Sequence, residues 1–250
     1  MSGGHAATAG TIGGRRVMVV SPHYDDVPLS LGQSLLDGDL SRAASVEVRI
    51  VFGRTNWSVP LHPTPGRAPL ITAWRRAEEA AAALRFGYRV RAEPFEEVIL
   101  RTGSLDPESF RNGAGVDTDA LVGRIAARLW AWRTEVDALW LPAGLGRHLD
   151  HRVVAHAGAS LVRRGADGIA FYEDRPYTAF LSQSELEEQL ADLGLQLVPV
   201  AVSGPITATP QRWVRRIYRS QMDPYFVQAQ DHDRTGGDPE RIWVPREAVA

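Results

Sequence analysis

Short apolar runs alternate with segments of helical periodicity along most of the chain. Residues 17–20 and 136–141 are nearly continuous apolar runs, which are typical of strands buried in a parallel sheet. Residues 46–52 place β-branched side chains at alternate positions and predict a further strand. Between them, residues 71–84 and 118–132 have the composition or the one-sided apolar spacing of helices. This alternation predicts an α/β protein, a Rossmann-like three-layer sandwich with a mostly parallel central sheet flanked by helices.

The remaining elements are weaker predictions. We expect strands at 96–100, 169–172 and 195–202, and an edge strand at 241–244. We expect helices at 28–36, from the second His-Asp-His cluster to about residue 162, at 182–193 with a Ser184/Glu187 capping box, and at 210–221. Residues 54–69, 102–117 and 222–240 lack periodicity and are predicted to be irregular.

The chain shows neither internal repeats nor a composition shift that would mark a linker. We therefore expect one domain over residues 15–250, preceded by a flexible tail at 1–14 that is rich in Gly, Ala, Ser and Thr. That tail lacks the apolar stretch of a signal peptide, and no segment approaches the roughly 18 apolar residues of a membrane span. The expectation is a cytoplasmic protein with no membrane-embedded part.

Composition limits the binding partners and the catalytic chemistry that the protein can have. The formal net charge is -2, so no strong field favours nucleic acid or acidic membranes. The chain has no cysteine, and all 28 of its basic residues are arginine. Lysine Schiff-base chemistry and thiolate ligands are therefore excluded, and any metal must be held by histidine and carboxylate. Composition leaves the oligomeric state open.

Two predicted strands end in histidines and carboxylates. The first is followed by His23, Asp25 and Asp26, and the second by His148, Asp150 and His151. Ligands of open α/β sheets bind at the carboxyl ends of the strands, so the two clusters are expected to meet there. Two histidines, one carboxylate and an open position form a common catalytic zinc set, which iron(II), cobalt or nickel would also accept.

Each cluster has a plainer interpretation. Adjacent aspartates after a strand are often turn formers or helix caps, and a His-x-x-His pair at a helix start can be a surface feature. The metal hypothesis depends on both clusters lying at strand ends of one sheet. A dinucleotide-binding protein is disfavoured, because His-Tyr-Asp-Asp stands where a glycine-rich phosphate turn would be needed.

The two clusters, His-Tyr-Asp-Asp at 23–26 and His-Leu-Asp-His at 148–151, resemble the motifs of the PIG-L/LmbE-like zinc-dependent deacetylases. Those motifs are His-Pro-Asp-Asp-Glu and His-x-Asp-His. The stretches at 172–177 and 218–221 and the Arg76/Glu79 helix also resemble that family, over residues 15 to 225 in all. Tyr24 and Val27 depart from the usual Pro and Glu, and Gly146 stands where some relatives place an aromatic residue.

The resemblance implies a role for each matching position. Zinc would be held by His23, Asp26 and His151. Asp25 would be the general base, and His148 would stabilise the oxyanion or protonate the leaving amine. Asp150 would orient a histidine. Further candidates for substrate contact are Arg54 and Trp57 in a loop, with Phe110 and Arg111 in another, and Arg175 in the third motif.

The resemblance implies a metal-dependent hydrolase that removes acetyl from an N-acetylated amino sugar or glycoside, in secondary metabolism. Its partner would be a small-molecule substrate rather than nucleic acid or membrane. Two alternatives stay open at this point. One is an amidase that cleaves a larger acyl group at the same metal site, and the other is a non-catalytic α/β binding protein.

Overall fold

The central element of the computed structural model, which describes residues 12–103, 110 and 120–248, is a seven-stranded sheet in the order β3-β2-β1-β4-β5-β7-β6. The strands are β1 Arg16–Ser21, β2 Ser45–Ile50, β3 Arg89–Ala92, β4 Ala138–Pro142, β5 Ile169–Tyr172, β6 Leu197–Pro205 and β7 Pro239–Pro245. The first five strands are parallel, and β7 pairs antiparallel with both β5 and β6. The predicted mostly parallel α/β sheet is confirmed.

Helices cover both faces of this sheet. They are α1 Asp26–Asp37, α2 Ala68–Phe86, α3 Val98–Thr102, α4 Ala120–Arg133, α5 Leu149–Arg163, α6 Gln183–Ala191, α7 Ala208–Ile217 and α8 Pro224–Gly236. Successive residues of a strand point to opposite faces, and the core follows this alternation. Val17 and Val19 pack into one apolar cluster with α1, α2 and α7, while Met18 and Val20 pack into another with α4, α5 and α6. None of the described helices is long and apolar enough to cross a bilayer.

The strand order places the two clusters side by side. Strand β1 pairs with β2 on one side and with β4 on the other, so Val17 lies opposite both Val46 and Ala138. The chain therefore reverses its direction of winding between β1 and β4. In open parallel sheets, such a reversal leaves a crevice at the carboxyl ends of the strands.

The third strand was predicted in the wrong place. It is Arg89–Ala92, a charged edge strand whose side chains are mostly exposed, and its apolar signal is correspondingly weak. The predicted strand at 96–100 is instead largely helix α3. Its β-branched residues favour a strand, but tertiary contacts decide: the Val98 backbone N donates to Asp150 Oδ2 at 2.9 Å, at the helix start.

The carboxyl-terminal part also differs from the prediction. Residues 222–240 are not irregular, because α8 begins there with a proline in its first turn, and Asp223 caps it by accepting from the Phe226 backbone N at 2.7 Å. Strand β7 lies inside the sheet, and β6 is the edge. The order of the strands along the chain does not reveal that β7 lies between β5 and β6. The capping box of α6 is Ser182/Glu185, two residues earlier than predicted. The predicted loop 102–117 lies almost wholly outside the described residues.

Candidate active site

The loop after β1 turns sharply into α1 and presents the first cluster. Asp25 has φ 100°, a left-handed conformation that is uncommon for residues with a side chain. This turn folds the carboxylate of Asp26 back over the loop, where its Oδ2 accepts from the His23 backbone N at 2.6 Å. The side chains of His23, Asp25 and Asp26 are all buried. Their placement is therefore set by the backbone of the loop.

The second cluster lies at the start of α5, directly after β4. His148 is the N-cap of this helix, and its ring Nδ1 accepts from the Asp150 backbone N at 3.3 Å. His151 follows in the first turn with its ring buried. The ring centroids of His23 and His148 are 4.9 Å apart, and those of His23 and His151 are 5.2 Å apart. The structure thus brings the two predicted clusters together.

Asp26 lies between two histidine nitrogens. Its Oδ2 is 3.5 Å from Nδ1 of His23, and its Oδ1 is 3.4 Å from Nε2 of His151. Two ligand atoms each about 2.1 Å from a tetrahedral ion lie about 3.4 Å apart. Although buried, His151 Nε2 has no hydrogen-bond partner. The spacing and the unpartnered nitrogen both fit a divalent metal held by these three residues.

A further carboxylate holds each of these rings from its outer side. Asp150 Oδ2 lies 2.9 Å from Nε2 of His23, and Asp174 Oδ1 lies 2.6 Å from Nδ1 of His151. With a metal bound, each carboxylate would accept the N–H of its ring, which leaves the other nitrogen, the one that faces Asp26, as the metal ligand. Carboxylate-oriented histidines of this kind are typical of metal sites.

His148 adds a third imidazole to the group. One nitrogen of each of His23, His148 and His151 can be chosen so that all three lie within 4.8 Å of one another. Burial and the two neighbouring histidines lower the pKa of His148 well below its ordinary value, so its ring is neutral. Because its Nδ1 accepts a hydrogen bond, the ring proton lies on Nε2.

The cluster attracts positive charge. Burial disfavours a charged imidazole, yet the carboxylates of Asp150 and Asp26 raise the pKa of His23 to about 9. Burial acts in the same direction on His151, but Asp26 and Asp174 raise its pKa to about 10. Burial opposes the charge of Asp26 too, whereas His151 and His23 hold its pKa well below the usual range. A bound divalent cation would satisfy the same carboxylates.

Asp25 has a different environment from its neighbour. Its Oδ1 accepts from Arg75 Nη2 at 2.8 Å, and both side chains are buried. Burial raises the pKa of Asp25, the Arg75 guanidinium opposes that rise, and the charge of Asp26 adds to it. A carboxylate whose pKa lies above its ordinary value is a better proton acceptor near neutral pH than an ordinary aspartate.

A cavity of about 350 Å³ opens onto these groups. Trp57 and Phe110 line it, as two of the loop candidates for substrate contact. Arg54 and Arg175 were also predicted to contact substrate, but neither belongs to the described cavity wall. Arg54 is 55 % exposed and pairs with Glu96 at 2.8 Å, while Arg175 is buried and pairs with Asp233 Oδ1 at 3.0 Å. Arg111 falls outside the described residues.

The roles of three residues of the site were not predicted from the sequence. Asp174 and Tyr177 belong to the stretch at 172–177 that resembles the family; the first contacts the His151 ring, and the second lines the cavity. Arg75 lies on the helix predicted at 71–84. Arg75 and Arg76 are consecutive in the sequence and alike in type. Only the structure shows that Arg75 is buried beside Asp25 and that Arg76 is exposed.

No protein-family model matches the chain, but individual proteins do. A 2'-N-acetylparomamine deacetylase of Streptomyces fradiae is 30% identical over 231 residues, which are 90% of this chain and 80% of that relative. A second 2'-N-acetylparomamine deacetylase, from Niallia circulans, is 26% identical over 190 residues, which are 65% of this chain and 68% of that relative.

Solved structures agree in fold. The zinc-inhibited form of teicoplanin deacetylase superimposes with a TM-score of 0.63 at 20% identity, over 91% of this chain and 97% of that one. Its complex with teicoplanin superimposes with a TM-score of 0.64 at 21% identity, over the same shares of both chains. At this identity the likeness shows a common fold. The match to the Streptomyces relative is the stronger indication of chemistry.

Proposed function

The chain belongs to the PIG-L/LmbE-like deacetylase family, and on that premise we propose that it is a zinc-dependent N-deacetylase of N-acetylated amino sugars or glycosides in secondary metabolism. The products are acetate and a free amine. One observation carries the proposal: Asp26 lies 3.5 Å from Nδ1 of His23 and 3.4 Å from Nε2 of His151. A second carboxylate lies behind each ring, so the nitrogens that face Asp26 are the ones available to a metal.

The proposed metal ligands are His23, Asp26 and His151. Zinc is preferred for this ligand set, although iron(II) or cobalt would also bind. When bound, the ion supplies positive charge that polarises the acetyl carbonyl and makes water more acidic. His148 lies in the same group, but its Nδ1 already accepts from the helix backbone. We therefore assign it a role towards the substrate.

The remaining roles follow from protonation states. Asp25 takes a proton from the attacking water, with its carboxylate held by Arg75. His148, neutral and protonated at Nε2, donates a hydrogen bond to the oxygen that gains negative charge when the acetyl carbonyl is attacked. The proton that Asp25 has gained is then available to the departing amine.

The substrate class is proposed from the relatives and the cavity. Both curated relatives are named for an N-acetylated aminoglycoside, 2'-N-acetylparomamine. The cavity wall combines aromatic rings with carboxylates, and Asp223 and Glu97 line it besides the groups already described. Sugar rings offer apolar C–H faces to aromatic side chains, and amino groups offer positive charge to carboxylates.

The test combines metal analysis with acetate release. Purified protein is expected to contain about one divalent metal ion per chain and to release acetate from N-acetylated aminoglycosides. Removal of the metal by a chelator should abolish turnover, and added zinc should restore it. Larger acyl groups, such as N-benzoyl on the same amine, should be poor substrates. A protein that binds no metal, or that cleaves only the larger amides, would overturn the proposal.

A further inference from the structure

A continuous series of aromatic rings leads from the site towards the surface. Tyr177 packs against His148 with a centroid distance of 6.1 Å, and against Phe226 at 5.8 Å. Phe226 contacts Tyr225 at 6.1 Å, and Tyr225 contacts Phe180 at 5.9 Å. The rings of Tyr177, Phe226, Tyr225 and Phe180 form what we term the aromatic strip.

The strip starts inside the catalytic cavity and ends outside it. Tyr177, Phe226 and Tyr225 all line the cavity, whereas Phe180 is not part of its described wall. Phe180 is 44% exposed and Tyr225 is 39% exposed. Large aromatic side chains in contact with each other at a cavity mouth leave apolar surface in water, which is a common feature of binding sites.

The strip is built from two segments of the chain. Tyr177 and Phe180 lie in the stretch that follows β5, and Tyr225 and Phe226 lie in the first turn of α8. Asp223 caps that helix through its Oδ1 and also lines the cavity. A carboxylate therefore stands beside the rings at the mouth. A ligand that lies along the strip would meet apolar faces and a negative charge together.

The outer rings of the strip are separated from the proposed catalytic groups by several ring-to-ring contacts. Three ring-to-ring steps, each about 6 Å, lead from Tyr177 to Phe180. A monosaccharide with its acetamide at the site would reach only the first rings of the strip. The outer rings need a ligand with a second ring, and cationic amines on that ring would be attracted both to aromatic faces and to Asp223.

We propose that Phe180 and Tyr225 form a distal subsite that binds the second ring of an N-acetylated aminoglycoside, the ring that does not carry the acetamide. This inference rests on the proposed deacetylase function and adds a requirement on substrate length. The subsite acts on binding and leaves the chemical step alone, because its rings lie beyond the groups that handle protons. Discrimination between two-ring and one-ring substrates should therefore appear in KM.

The experiment compares two substrates in three variants. The substrates are an N-acetylated two-ring aminoglycoside and the methyl glycoside of N-acetylglucosamine. The variants are Phe180→Ala, Tyr225→Ala and, as a matched control, Trp130→Ala, which removes an aromatic ring that is 41% exposed on α4. Each subsite variant should raise KM for the two-ring substrate about three- to tenfold, with kcat unchanged. In Phe180→Ala, KM for the one-ring substrate, or its Ki if it is not turned over, should stay constant.

The outcomes separate this inference from the proposed function. If wild-type protein turns over the two-ring substrate but neither subsite variant changes its KM, or if both substrates are affected equally, the distal subsite is refuted. If wild-type protein hydrolyses neither substrate, the proposed function fails. In that case calorimetric binding of the two-ring aminoglycoside decides: weaker binding by Phe180→Ala supports the subsite, and equal binding refutes it.

Discussion

The guanidinium of Arg75 donates from Nη2 both to Asp25 Oδ1 at 2.8 Å and to the Tyr24 carbonyl at 2.6 Å. Glu79 holds the other side of this turn, because its Oε2 accepts from the Asp25 backbone N at 3.3 Å. A non-glycine residue at φ 100° costs about 1–3 kcal/mol and persists only where the surrounding structure holds it there. Two buried residues of α2 thus hold the proposed base in a strained backbone conformation.

Replacing the proposed base should separate chemistry from metal binding. Asp25→Asn keeps the side-chain shape, and asparagine tolerates left-handed φ, so the turn should survive. The amide cannot take a proton from water. We expect kcat to fall by about 100- to 10,000-fold, while metal content by elemental analysis stays at the wild-type level. Deacetylation at an undiminished rate in this variant would remove Asp25 from the mechanism.

Arg75 should matter to stability as well as to activity. Arg75→Met leaves Asp25 without its buried charge partner, and breaking such a pair costs about 3–5 kcal/mol. Urea unfolding measures this loss directly. The neighbouring Arg76→Met is the control, because that side chain is exposed and donates from Nε to the Tyr24 hydroxyl at 3.1 Å; its loss should be about 1 kcal/mol or less. Equal losses of unfolding free energy in Arg75→Met and Arg76→Met would contradict the assignment of Arg75 as the buried charge partner of Asp25.

The elements that could be predicted from the sequence are those with a strong apolar or periodic signal. Strand β5 has the predicted bounds, because residues 169–172 are apolar throughout and buried on both faces. The meeting of the 23–26 and 148–151 clusters followed from parallel strands sharing one edge. Strand β3 was missed, because its charged side chains carry little of that signal.

Tertiary partners were harder to predict, and Gly146 illustrates why. A Cβ at this position would lie 2.3 Å from the Tyr177 Cβ, and its φ is +80°. The space next to Gly146 is therefore filled by Tyr177 from a distant stretch of the chain. Spacing along the chain cannot reveal such a contact. The same holds for Asp174, whose partner His151 is 23 residues away.

The carboxylate behind His151 should control metal affinity. Asp174→Asn nearly preserves the shape of the side chain but replaces the charged acceptor at 2.6 Å from Nδ1 with a neutral amide. Loss of such an outer partner weakens metal binding by about 10- to 100-fold. Competition with a chromophoric chelator measures the change. Asp137→Asn, at an exposed ion pair with Arg16, serves as the control and should bind metal like wild type. Unchanged affinity in Asp174→Asn would argue against His151 as a ligand.

Glu240 lies on strand β7, and its carboxylate is buried. Its two oxygens accept from the backbone N–H groups of Gln33 and Ser34 at 2.7 and 2.6 Å. Burial raises the pKa of Glu240 from 4.5 to about 7, although these two hydrogen bonds oppose the rise. Between about pH 4.5 and pH 7, the folded state therefore holds a proton at this residue that the unfolded chain has released.

The stability of the protein should accordingly depend on pH through Glu240. A carboxyl group whose pKa is higher in the folded state stabilises the fold fully below pH 4.5, and that contribution is lost as the pH rises through about 7. Between pH 5 and pH 8.5 the contribution of Glu240 to the free energy of unfolding should fall by up to about 3 kcal/mol.

Glu240→Gln cannot titrate, so its free energy of unfolding should fall less over the same interval, even if it is less stable at both pH values. Urea unfolding of wild type, Glu240→Gln and the exposed control Glu188→Gln tests this; a pH dependence in Glu240→Gln equal to that of wild type would show that Glu240 stays ionised in the fold.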